Sequence, residues 1–250
     1  MCSAMRPDER LLEMVRQAGR IVAFTGAGIS TECGIPDFRS PGGIWTRYKP
    51  IEFQTFISSP EMRREALTRY LKIREAVGDV KPGRGHRALA RLAGQGRLAH
   101  VITQNIDGLH QASGLPAEQV IELHGNGTYA HCLECGRRHE LDWIAEELER
   151  NPGAPACVGC GGMVKTATVS FGQAMPEEAM RRAHAAARDC DLFLAIGSSL
   201  VVYPAASFPV VARRAGATLA ILNREPTDLD EHADLVVNAD IGDTLEPLLG

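Results

Sequence analysis

Five short apolar runs recur along the sequence at residues 21–24, 101–103, 192–196, 219–222 and 235–237, with helix-like stretches between them. Continuous apolar runs of this length suit strands buried on both faces, as in a parallel sheet covered by helices. The helix-like stretches fall at about 8–19, 61–77, 85–93, 176–187 and 205–215. This alternation predicts an α/β fold with a doubly wound, Rossmann-like parallel sheet. Ligands of such sheets bind beyond the carboxyl ends of the strands, where the strand order reverses. The first four runs are followed at once by TGAGIS, TQNIDGLH, GSS and NRE, so chemistry is expected on that edge.

Composition narrows the function classes. With 44% apolar and 23% charged residues, the 250-residue chain has the make-up of a packed globular protein rather than a disordered one. A net charge of −4 offers no electrostatic basis for nucleic acid or an anionic membrane as a partner. The longest uncharged stretch, residues 192–212, could span a bilayer by length, but Gly197, Ser198, Ser199, Pro204 and Pro209 break it into a strand, a loop and a helix start. The polar opening MCSAMRPDER, with no apolar core after it, points to a cytoplasmic protein.

Two stretches interrupt the alternation. Residues 38–80 begin rich in glycine and proline and then turn helical, and residues 125–165 carry four of the seven cysteines. The expected organisation is a Rossmann-like nucleotide-binding domain from 1–40, 81–125 and 166–250. A helical insertion at 41–80 and a cysteine module at 126–165 form a small domain. Cys132-x-x-Cys135 and Cys157-x-x-Cys160, separated by 21 residues, suit a tetrahedral Zn²⁺ held by four thiolates. Four thiolates close the coordination sphere, so the zinc is expected to be structural; a redox CxxC is the alternative.

The first turn, Gly26-Ala27-Gly28-Ile29-Ser30, reads either as a phosphate cradle opening onto a helix N-terminus or as a tight strand–helix turn. Thr31 stands where a dinucleotide fingerprint has its third glycine, and no acidic residue clearly ends the second strand. Both departures argue against a hydride-transferring dehydrogenase. Among the histidines, His86, His100, His184 and His232 read as structural or solvated, and His131 and His139 as surface residues flanking the first cysteine knuckle. His110, after QNIDG, and His124, in Glu122-Leu123-His124-Gly125, are the two candidates for catalysis.

GAGIS at 26–30, GIPDFRS at 34–40, TQNIDGLH at 103–110, ELHG at 122–125, the two CxxC pairs, SFG at 170–172, GSSLVVYPA at 197–205 and Asn223 occur in the order found in sirtuins. From about residue 11 to 249 the chain resembles the compact bacterial and archaeal members of that family. The resemblance implies an NAD+-consuming protein-lysine deacylase, foremost a deacetylase, that releases nicotinamide and forms O-acyl-ADP-ribose. It implies His124 as the general base that takes a proton from a ribose hydroxyl, with Asn105 and Asp107 beside it in the catalytic set. Gln104 and Asn105 then position the ribose and its water, and Ile106 and Asp107 bind the nicotinamide carboxamide. Phe38 covers the ribose, and Asp37 and Arg39 order the closing loop. Gly26, Ala27, Gly28, Ser30, Gly197, Ser198 and Ser199 contact phosphate and ribose, Asn223 and Glu225 the adenosine ribose, and Asp240 and Ile241 the adenine edge.

The acylated protein is expected to enter as an added strand between Val169, Phe171 and Gly172 on one side and Val201, Val202 and Tyr203 on the other. Departures from the family pattern are Gln173 after FG, where an acidic residue is common, and Ser40 after FR, where acid-specific deacylases have alanine. Those deacylases also pair a tyrosine with an arginine three residues on; here Ile73 follows Tyr70 at that spacing, and the arginine is Arg74. The pattern therefore favours acetyl, with broader deacylation (succinyl or longer chains) as an alternative. Rival readings are a mono-ADP-ribosyltransferase on the same fold, a zinc-ribbon NAD+ sensor without turnover, and a dehydrogenase.

Overall fold

The computed structural model describes residues 5–37, 43 and 48–250. Its main sheet has six parallel strands: β1 (Ile21–Thr25), β2 (Leu98–Thr103), β3 (Val120–Glu122), β7 (Leu192–Ile196), β8 (Thr218–Leu222) and β9 (Leu235–Val237). Their order is β3-β2-β1-β7-β8-β9, so the winding reverses between β1 and β7. That order matches the doubly wound dinucleotide-binding arrangement, whose crevice opens at the reversal.

Every residue of β1 and of β7 is buried, because helices cover both faces. Side chains alternate across the sheet: Ile21 and Ala23 join the core beneath α1 (Pro7–Gln17) and α4 (Arg84–Gly94). Val22 and Phe24 join the opposite core beneath α7 (Glu177–Arg188) and α8 (Phe208–Arg214). Phe24, fully buried, stacks at 6.2 Å on Phe193; burial of such a ring contributes about 1.5–3 kcal/mol.

A second, three-stranded antiparallel sheet is built from β4 (Gly125–Cys132), β5 (Arg138–Glu140) and β6 (Val164–Thr168). It has a separate core: Leu67 of α3 (Pro60–Val77) packs with Ala130, Val164 and Leu141, Ile144 and Leu148 of α6 (Leu141–Arg150). Two short helices complete the frame, α2 (Phe53–Ser58) and α5 (Leu109–Ala112), and α9 (Ile241–Leu245) closes the chain against α4.

Some expectations shift. Residues 120–122 add a strand at the sheet edge, and 125–168 carry three strands rather than knuckles alone. The chain after β1 makes a 3-10 turn, Ala27–Cys33, not an α-helix. Among the described residues no helix is long and apolar enough to cross a membrane, and residues 192–212 divide into a strand, a loop and a helix start.

Candidate functional site

The turns after β1 and β7 meet at the reversal. Gly28 donates its N–H to Gly197 O at 2.8 Å, and a Cβ on Gly28 would lie 2.7 Å from Gly197 Cα. A Cβ on Gly26 would lie 2.7 Å from Gly197 O. These glycines therefore let two turns pass backbone against backbone, and Gly197 in addition sits at φ +61°. The Gly28 N–H is committed to this contact, so glycine here serves close approach of the turns.

Above this contact, side chains from the β1 and β2 turns converge. Asn105, buried, donates from Nδ2 to Gly26 O at 3.1 Å and to Ser30 Oγ at 3.2 Å. Ser30 passes its own proton to Asp107 Oδ2 at 2.7 Å, and Asp107 Oδ1 accepts from Leu109 N at 2.9 Å. Gln104 reaches the other way, donating to Ser198 Oγ at 2.8 Å. The cluster thus joins Gly26, Ser30, Gln104, Asn105, Asp107 and Ser198 across the switch point.

The two candidate histidines separate here. His110 is buried beneath the cluster, with Nε2 2.8 Å from Thr25 Oγ1. Thr25 gives its one proton to Thr103 Oγ1 at 2.9 Å, so it accepts from His110, and the proton sits on Nε2. Burial, reinforced by His86 at a ring distance of 4.9 Å, pushes the His110 pKa down to about 3, which keeps the ring neutral. His110 is a support of the β1–β2 turns.

His124 is only partly buried, and its Nδ1 lies 2.9 Å from Gln104 O. A carbonyl only accepts, so in the neutral ring Nδ1 carries the proton and Nε2 is the basic nitrogen. The His124 carbonyl in turn accepts from Val169 N at 2.8 Å, which ties this residue to the segment expected to receive the substrate.

That segment turns sharply: Ser170 N donates to Gln173 Oε1 at 3.1 Å, and Gln173 N to Ser170 O at 3.0 Å. Gln173 is therefore occupied in closing the turn around Gly172, which has φ +77°. Of the five large apolar side chains exposed among the described residues, Phe171, Val201 and Tyr203 lie on the two expected substrate loops. Val202 is half-buried, its carbonyl accepting from Ala206 N.

Around the ends of β8 and β9, Asn223 Nδ2 donates to Glu225 O at 2.7 Å, and Asp240 caps α9 by accepting from Asp243 N at 3.0 Å. That N–H, with Arg224, holds the Asp240 carboxyl below the ordinary range. Ile241 begins α9 and is half-buried, Ser199 is exposed, and Ala27 and Asp37 are half-buried. Phe38, Arg39 and Ser40 lie outside the described residues.

Cys132, Cys135, Cys157 and Cys160 come together with all four sulfurs within 4.8 Å of one another. Cys132–Cys160 and Cys135–Cys157 sulfur distances are 3.5 and 3.6 Å. These are far beyond a disulfide of about 2.05 Å, but close to the roughly 3.8 Å edge of a tetrahedron with Zn–S bonds near 2.3 Å. Gly136 and Gly161, at φ +71° and +73°, turn the chain after each knuckle. The donor set and spacing fit one zinc and leave no open position, so this module holds no candidate catalytic metal. His139 is not a surface residue: it is buried and stacks on Trp143 at 4.5 Å.

Tyr70 and Arg74, four residues apart on α3, take separate partners. The Tyr70 hydroxyl donates to Gly127 O at 2.6 Å, while Arg74 is exposed and paired with Asp142 at 3.2 Å. His86, read from the sequence as structural or solvated, is fully buried with Nε2 3.5 Å from Ser30 Oγ.

A Rossmann-type sheet with a polar cluster at its switch point, joined to a four-thiol knuckle module, defines a nucleotide-binding α/β protein with a structural metal centre. The Sir2 family model matches residues 26–204. The chain is similar to "NAD-dependent protein deacetylase 1" of Bradyrhizobium diazoefficiens, 60% identical over 242 residues that cover 97% of this chain and 95% of that one. A Sir2 protein solved with a p53 peptide and NAD+ is 33% identical with a TM-score of 0.82, covering 98% of each chain. Another Sir2 structure, with a deacetylated p53 peptide and 3′-O-acetyl-ADP-ribose, is 34% identical with a TM-score of 0.84, covering 96% of each. The chain belongs to the Sir2 family.

Proposed function

We propose that this chain is an NAD+-dependent protein-lysine deacetylase that yields nicotinamide, free lysine and O-acetyl-ADP-ribose. The observation that carries this reading is the 2.9 Å contact of His124 Nδ1 with Gln104 O, which makes Nε2 the basic nitrogen and joins His124 to the turn that bears Asn105 and Asp107. Breaking the nicotinamide–ribose bond supplies an electrophilic sugar carbon to the acyl oxygen of the substrate. The residues of this chain then have separable tasks. His124 removes the proton from a ribose hydroxyl, a general-base contribution of about a hundred- to ten-thousand-fold. Asn105 and Gln104 hold the ribose and its water, and Ile106 and Asp107 hold the carboxamide. Asp37, Phe38 and Arg39 close over the cofactor.

Gly26, Ala27, Gly28, Ser30 and Gly197, Ser198, Ser199 line the phosphate and ribose side, with Asn223, Glu225, Asp240 and Ile241 toward the adenosine. The acylated segment adds as a strand between 169–172 and 201–203, a reading supported by the exposed Phe171, Val201 and Tyr203. Residues 41–80 and 126–165 act as a small domain, supported by its separate core. The cysteine module holds one structural Zn²⁺. A cytoplasmic setting fits four thiols kept reduced for metal. Acetyl is preferred over succinyl, since the three-residue tyrosine–arginine pairing is absent and Arg74, four residues on from Tyr70, is paired with Asp142 at the surface.

The test is stoichiometry: incubated with NAD+ and an acetyl-lysine peptide, the purified protein releases one nicotinamide per lysine freed, and negligible nicotinamide without the peptide. Nicotinamide release independent of acetyl-lysine would instead favour ADP-ribosyl transfer or simple hydrolysis.

A further inference from the structure

The segment carrying Ile106 and Asp107 is gripped from two sides. On the large-sheet side, Ser30 and the Leu109 N–H hold the Asp107 carboxylate at 2.7 and 2.9 Å. On the other side, Gly127 of β4 donates its N–H to Ile106 O at 2.7 Å. The two backbones pack without side chains between them. A Cβ on Gly127 would fall 2.0 Å from the Tyr70 hydroxyl and 2.9 Å from Ile106 O. At Gly108, with φ +73°, a Cβ would meet Thr128 Cγ2 at 3.0 Å.

Tyr70 closes this stack from α3. Its hydroxyl donates to Gly127 O at 2.6 Å, so one glycine residue is held by α3 at its carbonyl and holds Ile106 through its N–H. Burial pushes the Tyr70 hydroxyl up to about 12, so it remains a donor across the working pH range. Asn126, next in the chain, is fixed too: its Nδ2 donates to Glu122 Oε1 at 2.7 Å, and its Oδ1 accepts from Thr128 N at 2.8 Å. With its neighbour fixed, Gly127 transmits the position of Tyr70 to Ile106 with little slack.

We infer that Tyr70 is a positioning residue for the nicotinamide-binding turn, holding Ile106 and Asp107 in register through Gly127 and so coupling α3 to affinity for the nicotinamide end of NAD+. The inference rests on the reading of Ile106 and Asp107 as the carboxamide contacts. Tyr70 acts through the backbone of one residue, Gly127, whose carbonyl it holds and whose N–H holds Ile106. Loss of its hydroxyl frees Gly127 and blurs the turn, while the exposed substrate loops at 169–172 and 201–203 keep their own hydrogen bonds.

The experiment is Tyr70→Phe, which removes one oxygen and keeps the ring in place. Expected are a rise of about three- to tenfold in KM for NAD+ and in the nicotinamide concentration for half-inhibition, the size of one neutral hydrogen bond. KM for the acetyl-lysine peptide stays within about twofold, a split that general loosening of the fold does not produce. Peptide KM moving while nicotinamide inhibition stays within about twofold overturns the inference. Asp107→Asn is measured alongside. If it leaves nicotinamide inhibition intact in an active enzyme, the reading of the turn has failed and Tyr70's role falls with it. If Asp107→Asn weakens inhibition and Tyr70→Phe does not, only the Tyr70 inference is lost. Amide exchange needs no turnover: NAD+ slows exchange of the Gly127 N–H in the wild type, and Tyr70→Phe speeds it in the free protein. Unchanged Gly127 exchange in both comparisons also overturns the proposal.

Discussion

His124 and Gln104 share a hydrogen bond of 2.9 Å between the imidazole Nδ1 and a backbone carbonyl. Because the partner is main chain, substitution of the Gln104 side chain leaves the tautomer of His124 in place. The Gln104 side chain has a separate partner, Ser198 Oγ at 2.8 Å. The basic nitrogen and the β7 turn are therefore set by the same residue through different atoms.

From this, His124→Ala is expected to reduce deacetylation at least a hundredfold while NAD+ affinity changes by less than about threefold, since a base acting after nicotinamide departs adds little to ground-state binding. Steady-state turnover and a direct NAD+ titration check it. Turnover above about a tenth of wild type would show that another group is the base.

The four-thiol module is expected to hold one zinc per chain, seen by elemental analysis of the purified protein. Cys135→Ser or Cys160→Ser, both at exposed residues, should lose the metal and lower the melting temperature sharply, because metal affinity in such a module is folding free energy. Active protein free of zinc would contradict this.

Acyl choice follows from α3. A carboxylate-bearing acyl group needs a buried cation, and leaving it unpaired costs several kcal/mol. Arg74 is spent on Asp142 and Tyr70 on Gly127 O. kcat/KM for acetyl-lysine should exceed that for succinyl-lysine on the same peptide at least about tenfold, with Arg74→Met leaving the ratio within about twofold. Equal or faster desuccinylation that Arg74→Met selectively removes would mean that the arginine turns inward when substrate binds.

Lys165 gives a pH signature. It is buried, its amine donating to Thr168 O and to Thr166 O, and burial pushes its pKa from 10.5 down to about 8. Between about pH 8 and 10.5 the unfolded chain binds a proton that the folded one does not, so stability rises with pH across that window. Below pH 8 both states are protonated and the penalty is constant. The difference in unfolding free energy between wild type and Lys165→Met should therefore shift with pH by up to about 3 kcal/mol in favour of wild type from pH 8 to 10.5, read from denaturant melts. A difference flat in pH would mean that the amine keeps its ordinary pKa.

Much of the frame was legible because it follows from periodicity. The apolar runs at 21–24, 192–196, 219–222 and 235–237 became parallel strands, since only strands covered on both faces are uniformly apolar. Val120-Ile121-Glu122 was missed: three residues at a sheet edge carry no period to detect. β4 was hidden for another reason, since Gly125, Asn126 and Gly127 are there for backbone contacts rather than strand propensity. In the site, the turn residues and the four cysteines were visible from spacing. The choice between His110 and His124 was not, because burial of one ring beneath Thr25 and Thr103 depends on how β1 and β2 pair. The resemblance to sirtuins separates them by motif; the structure buries His110 against Thr25 and leaves His124 partly exposed. The partner of Tyr70 is not legible, because helix spacing shows which residues share a face but not what lies opposite.

The most direct test of the account is the identity of the products. Mass spectrometry of a reaction containing NAD+, an acetyl-lysine peptide and the purified protein should show free-lysine peptide, nicotinamide and O-acetyl-ADP-ribose in equal amounts. Free acetate without the ADP-ribose ester, or ADP-ribose attached to protein with the acetyl group retained on the peptide, would contradict it.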